Sequence, residues 1–185
     1  VVGAAVNLLA GIPSVVYGLV GMLVLVPGIR ILFNLPDGAS LLASIIVLAV
    51  MILPSIIKMS MTALDAVPRE YEEGSLALGA TTTETYFKVS VPAAKSGIAA
   101  AVVLGVGRAI GETMAVIMVA GNVANMPTLF GSVRFLTTAV ASEMSYSSPG
   151  SLQRNALFSI ALVLFLFIML INATLNFLLK RDKEK

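Results

Sequence analysis

Arg108 and Glu112 stand four residues apart in a run from about Gly97 to Val119 that holds no other charge. On a helix, residues four apart share a face, where opposite charges partly neutralise each other. At the centre of a bilayer such a residue costs about 2.5–3.5 kcal/mol on insertion scales, so it must face protein or water. From Gly97, Arg108 is roughly 16 Å along a helix, near the midplane of a 30 Å hydrocarbon core. Two chemistries are open at this point. The pair could fix packing against a neighbouring helix. Alternatively it could line an ion path, since Arg before Glu is the weaker order for an i,i+4 pair and intramembrane charges mark substrate routes. A guanidinium presents a planar fork of donors suited to oxyanions and phosphate. Gly105, Gly107 and Gly111 surround the pair, and Gly107 to Gly111 is a GxxxG, whose commoner use is close helix approach.

Other chemistries are excluded by composition. The 185 residues contain no Cys and no His, so thiolate chemistry, the commonest metal ligand and the commonest neutral-pH general base are all missing. No G-x-x-x-x-G-K-[ST] phosphate loop occurs. Neither catalysis, nor a metal, nor a cofactor is expected in this chain. It is 58% hydrophobic and 12% charged, where soluble domains average about 25% charged, which excludes a soluble globular domain. A formal net charge of +2 gives no reason to expect nucleic acid.

An all-α, polytopic transmembrane bundle is therefore expected. Spans of roughly 20 apolar residues are predicted at about 12–33, 41–57, 97–119 and 156–179. Pro13 suits a first helical turn, and Pro27 is expected to kink or end the first span. Lys58, Arg69, Lys88 and Lys95 lie between the second and third spans, and Lys180, Arg181, Lys183 and Lys185 form the tail. Only Arg30, Arg134 and Arg154 lie opposite, so the 58–96 loop and the C-terminus are predicted to be cytoplasmic. The chain opens at Val1 without an initiator Met on apolar, uncapped residues, and is expected to be the C-terminal part of a longer permease-like protein.

The loop 65–92 carries its own helix punctuation. Pro68 opens a short helix with Glu70, Glu72 and Glu73 near its positive end, and Gly79 stops it. Thr81 and Glu84 have the spacing of a capping box that starts a second helix through about Val89, with Pro92 ending it. The loop is expected to be a compact helix-turn-helix.

Here the sequence resembles a family. The EAA motif of ABC-importer permeases reads E-A-A, three residues, G, nine residues, I, one residue, L-P. Glu73, Gly74, Ser75, Gly79, Val89, Val91 and Pro92 keep every spacing, with Gly74 and Ser75 in place of the two alanines. The resemblance implies a type I ABC-importer permease fold and a coupling loop of Glu73, Gly74, Ser75, Leu78, Gly79, Ala80, Thr81, Val89 and Pro92 against a cytoplasmic ATPase. The run Gly107-Arg108-Ala109-Ile110-Gly111-Glu112-Thr113 is similar to phosphate-importer permeases. Leu9 to Gly18 and Met114-Ala115-Val116 look like the PstC kind more than the sibling PstA kind. That implies phosphate import, with Arg108 and Glu112 on the substrate pathway. The implied setting is a prokaryotic inner membrane, with lipid, a PstA-like sibling permease, ATPase subunits and an outer phosphate-binding protein as partners. Molybdate or sulfate as cargo, or a non-conducting signalling subunit, are the alternatives.

Between the last two spans, residues 122–154 are too polar to cross. Val133, Leu136, Val140 and Met144 recur at helical spacing, and Pro149-Gly150 marks a turn. An amphipathic helix is expected there, resting on the bundle or forming an outer gate or docking surface. Asn172 and Asn176 are candidate interhelical hydrogen-bonding residues of the last span.

Overall fold

The structure is a computed structural model, and it describes Val6 and residues 8–183. After a helical stretch that ends at Ala10, eight helices follow one another among those residues, here α1 (Ser14–Leu32), α2 (Leu41–Asp65), α3 (Arg69–Ala77), α4 (Thr82–Ala93), α5 (Lys95–Gly111), α6 (Met114–Val119), α7 (Leu136–Glu143) and α8 (Leu152–Lys183). The fold is all-α, with a lone parallel bridge between Gly121 and Val133 among the described residues. Three helices there, α1, α2 and α8, are long and apolar enough to cross a membrane, and α4 with α5 makes a fourth such stretch bent by 65°.

Proline does not end α1. A π turn over Gly21–Leu25 immediately precedes Pro27, and the helix continues to Leu32. A proline ring collides with the carbonyl four residues back, and a widened turn just before it makes room. The same device recurs in α4, where a π turn over Tyr86–Ser90 precedes Pro92 and the helix runs on to Ala93. The bend then falls at Ala94, not at the proline. The second long helix likewise exceeds its expected end near Ile57, passing Pro54 and reaching Asp65.

The stretch 97–119 departs most from expectation, because it is two helices. α5 stops at Gly111, Glu112 is extended at φ −70°, ψ 134°, and α6 starts at Met114. Gly107 and Gly111 are poor helix formers. A carboxylate leaving the helix can also accept from the orphan amides of the next one. Glu112 Oε1 does so, taking Ala115 N–H at 3.1 Å.

The core lies where α1, α2 and α6 meet, around Ile29, Ala43, Val47, Met51, Ala115 and Val119. Gly18 admits α6 here, since a Cβ on it would lie 2.8 Å from Ala115 Cα. The α2 N-terminus is fully provided for. Leu41 N–H reaches Gly131 O at 3.1 Å, Leu42 N–H reaches Leu129 O at 2.9 Å, and Ser40 Oγ takes Ala43 N–H at 3.3 Å. Three of its orphan donors are thus satisfied by the outer segment and a cap.

In that outer segment α7 spans only Leu136–Glu143, and its buried residues are Thr138 and Ala139. Val133 is buried in the bridge before the helix begins, while Leu136 is exposed. The apolar spacing from Val133 to Met144 therefore does not define one buried helical face. Thr138 can be buried because its hydroxyl donates to Phe135 O at 3.0 Å.

Candidate functional site

Arg108 lies in the last turn of α5, where a cation is favoured by the helix's negative end. Its position is set by how α5 packs on α2. A Cβ on Gly97 would meet Ala63 Cβ at 2.5 Å, and one on Gly105 would meet Ile56 Cγ1 at 2.5 Å. Ala101, between them on the same face, is fully buried. The helices run antiparallel in this register, and the next contact along it is Arg108 with Ser55. Arg108 Nη1 donates to Ser55 Oγ at 3.1 Å.

The expected i,i+4 pair is absent. Because α5 ends at Gly111, Glu112 leaves the helix face that Arg108 occupies. Its carboxylate faces the α6 amides, and its own carbonyl accepts from Thr137 Oγ1 at 3.0 Å. The ion pairs among the described residues are Lys88–Glu84 and Arg134–Glu143, so Arg108 has no carboxylate partner there. Two of the outer arginines, Arg134 and Arg154, are engaged by contrast, while Arg30 is exposed and makes no side-chain hydrogen bond among the described residues. Arg134 also donates from Nε to Asn122 O at 3.1 Å, and Arg154 donates from Nη1 to Ser147 O at 3.3 Å.

The glycines flanking Arg108 also behave differently from a packing GxxxG. A Cβ on Gly111 would meet nothing within 4 Å, and one on Gly107 would come no closer than 3.7 Å, to Asn172 Oδ1. Close approach is the work of Gly97 and Gly105, while Gly107 has only ordinary contact with Asn172 and Gly111 borders open space. Asn172 thus faces the Arg108 turn from α8, and the Asn176 side chain lies outside the described residues.

The second region is α3 and α4. Pro68 precedes the first residue of α3, and Glu70 and Glu72 lie in its first turn. Gly79, at φ +87°, ends the helix in a conformation that suits glycine. Gly79 N–H returns to Leu76 O at 3.0 Å and Ala80 N–H to Ser75 O at 3.3 Å, the two bonds of a Schellman end. Thr81 and Glu84 form the reciprocal capping box. Those hydrogen bonds from Thr81, reinforced by Lys88 at 3.2 Å, hold the Glu84 carboxyl below its usual range.

Two side-chain bonds clasp the helices together. Ser75 and Thr85 hydroxyls meet at 2.9 Å, and Ser90 Oγ donates to Glu72 Oε1 at 2.9 Å. Ser75 thus holds the two helices together, a role that an alanine there could not fill. Glu73 and Gly74 face solvent, Leu78 is 90% exposed, and Phe87 and Tyr71 stand out beside it. Val89 is half-buried and Pro92 exposed. Ser55, Glu72 and Ser90 were not legible as site residues, since nothing in their local spacing names a partner 18 or 53 positions away.

A polytopic helical chain with a clasped helix-turn-helix between its spans matches one family throughout. The sequence belongs to the binding-protein-dependent transport system inner membrane components, matching over residues 1–182. It is thus a multi-pass membrane protein with the type I ABC permease fold of that family. Among curated relatives it is 48% identical over 171 residues to the probable ABC transporter permease protein YqgH of Bacillus subtilis, covering 90% of this chain and 55% of that protein. It is 36% identical over 200 residues to the phosphate transport system permease protein PstC of Mesorhizobium japonicum, covering 97% and 61%. PstC 1 of Mycobacterium tuberculosis is 36% identical over 203 residues, covering 97% and 60%. The chain spans about 55–61% of the length of these relatives.

Proposed function

We propose that this chain forms part of the permease subunit of an ATP-driven phosphate importer. It contributes to one half of a translocation pathway, beside a sibling permease. A soluble binding protein delivers the anion from outside, and cytoplasmic ATPase subunits engage the α3–α4 loop. The excess of basic residues in 58–96 and in the tail supports a cytoplasmic loop and C-terminus. The exposed Leu78 and Phe87 on a doubly clasped helix pair support a rigid lever that a partner groove could push.

The observation that carries the anion reading is Arg108 itself. It is an exposed guanidinium on a membrane helix, bonded to one neutral hydroxyl and without a carboxylate among the described residues. A cation already paired would have little left to offer an anion, whereas this one keeps most of its donors. The PstC relatives direct the choice of anion to phosphate. Glu112, turned to the α6 amides, acts in this reading by fixing the break beside Arg108.

The test is radiolabelled phosphate uptake in phosphate-starved cells lacking their own permease and supplied with the full-length protein. Arg108→Ala should cut uptake roughly tenfold to a hundredfold, as expected for losing a hydrogen bond to a charged group worth about 1.5–3 kcal/mol. Excess sulfate or molybdate should leave uptake by the unaltered protein intact. Unchanged uptake by Arg108→Ala, at equal membrane abundance, would remove Arg108 from the pathway. Inhibition by sulfate or molybdate would reassign the cargo.

A further inference from the structure

We infer that Ser55 is the second donor of the oxyanion site, so that the anion is bound between α5 and α2 and not by Arg108 alone. This rests on the phosphate-pathway reading and adds a residue to it. Ser55 Oγ accepts from Arg108 Nη1 at 3.1 Å. Accepting leaves the hydroxyl hydrogen uncommitted, and it donates to no atom among the described residues. Several helical hydroxyls in this molecule turn back on their own helix: Ser44 donates to Ser40 O at 3.0 Å, Thr62 to Lys58 O at 3.1 Å and Thr174 to Leu170 O at 2.8 Å, whereas others, such as Ser75 and Ser90, bond to a neighbouring helix. That return satisfies a hydroxyl in an apolar setting at no cost in tertiary structure. Ser55 is instead drawn across to the neighbouring helix.

Arg108 is exposed and Ser55 is half-buried. The unused N–H groups of Arg108 therefore open onto accessible space, with the Ser55 hydroxyl at its edge. Beside that space lies the unfilled flank of Gly111, with Asn172 against that of Gly107. An oxyanion entering there receives the remaining N–H groups of Arg108 from α5 and the O–H of Ser55 from α2. The serine oxygen meanwhile holds the guanidinium in place. No carboxylate has to be displaced, which suits a site that must load and release quickly. Because the two donors sit on different helices, sliding α2 against α5 separates them, so the site weakens when the register changes.

The test uses the full-length protein with its native partners in the same uptake assay, measuring initial rate against phosphate concentration at matched membrane abundance. Ser55→Ala should raise KM by about tenfold or more with maximal rate nearly unchanged, the size expected for losing one hydrogen bond to a charged group. Ser55→Thr, which keeps the hydroxyl, should restore KM. Ser55→Cys, nearly isosteric but a weak donor, should resemble the alanine variant. Ser55→Ala should lower uptake further in an Arg108→Ala background, since the hydroxyl donates to the anion itself; no further loss there would overturn its role as a second donor and leave it only holding the guanidinium. A normal KM for Ser55→Ala beside a defective Arg108→Ala would overturn the Ser55 assignment and leave the pathway reading standing. A loss of maximal rate or abundance common to all three Ser55 variants, with KM unmoved, would make the residue one of packing only. Normal uptake by Arg108→Ala would instead bring down the underlying reading, and this inference with it.

Discussion

Glu84 and Arg108 are both charged residues near a helix end, and the molecule treats them oppositely. Glu84 closes a capping box with Thr81 and also pairs with Lys88, so each of its oxygens is engaged. Arg108 touches one neutral hydroxyl. The glycine environments differ in the same sense. Gly79 is used for its backbone conformation in the loop, whereas Gly97 and Gly105 are used for their missing side chains between α5 and α2. The loop is tied together by its caps and two side-chain bonds, and it presents Tyr71, Leu78 and Phe87 outward together with charged residues such as Glu70 and Glu73. The membrane pair is locked in register by backbone proximity, which leaves a polar group at its end unspent. A charge with all its valences filled belongs to the scaffold. One held in place but under-occupied is available for a ligand.

The sharpest way to break this contrast is to disturb the register. At Gly97 the obstacle is Ala63 Cβ, which has no rotamer to retreat into, so the backbones must part. Gly97→Val should cost at least the ~1–3 kcal/mol of overpacking, lower the thermal midpoint of the purified protein, and reduce phosphate uptake. Gly28 is the control, because a Cβ there meets nothing within 4 Å. Gly28→Ala should leave both readouts near the unaltered values. Equal effects at the two positions would mean that α5 and α2 are not register-locked.

How far the sequence announced this arrangement depends on whether a signal is local. Gly79, Thr81 and Glu84 act on residues close by in the chain, and each is found in the role its type and spacing predict, while Pro68 stands just before α3 and not in its first turn. Long apolar runs likewise predict helices, because length and composition suffice. The break at Glu112 was hidden, since a continuous apolar run reads as one helix unless the competing cap on Ala115 is weighed. The expected span 12–33 already ran through Pro27, but the continuation through Pro92, where an end was expected, was hidden for a related reason. A π turn relieves the proline clash, and no residue type marks one. The Arg108–Ser55 contact is set by register between α5 and α2, which a single sequence does not encode locally.

A smaller effect is expected at the junction between the outer segment and α2. Ser40 is completely buried, takes Ala43 N–H and donates to Gly38 O at 3.0 Å. Ser40→Ala strands both groups and should destabilise the fold by about 1–2 kcal/mol, seen as a lower thermal midpoint. Ser40→Thr should recover part of it. Since Ser40 lies far along α2 from Ser55, KM for phosphate should not change. A shift in KM here would mean that stability and the anion site are not separable, and the contrast between filled and unfilled groups would lose its force.

The smallest effect is a pH dependence confined to the loop. Hydrogen bonds from Thr81, with Lys88 beside them, lower the folded-state pKa of Glu84 below its unfolded value. The ionised carboxylate therefore contributes its stabilisation fully above the unfolded value, about 4.3 for glutamate, and loses it as pH falls through the lower folded value. At neutral pH the cap is complete, so the loop should show no pH response between 6 and 8 from this group. Amide hydrogen exchange checks this directly. Protection at Thr81 should hold on acidification to about pH 4 and then decline. Glu84→Gln should abolish that decline and leave a flat, lower protection across the range. Because Glu84 is exposed, the change should stay local to the start of α4. A decline beginning well above pH 5 in the unaltered protein would mean that the carboxylate is not held by its cap, and that the loop is less satisfied than the membrane pair it is compared with.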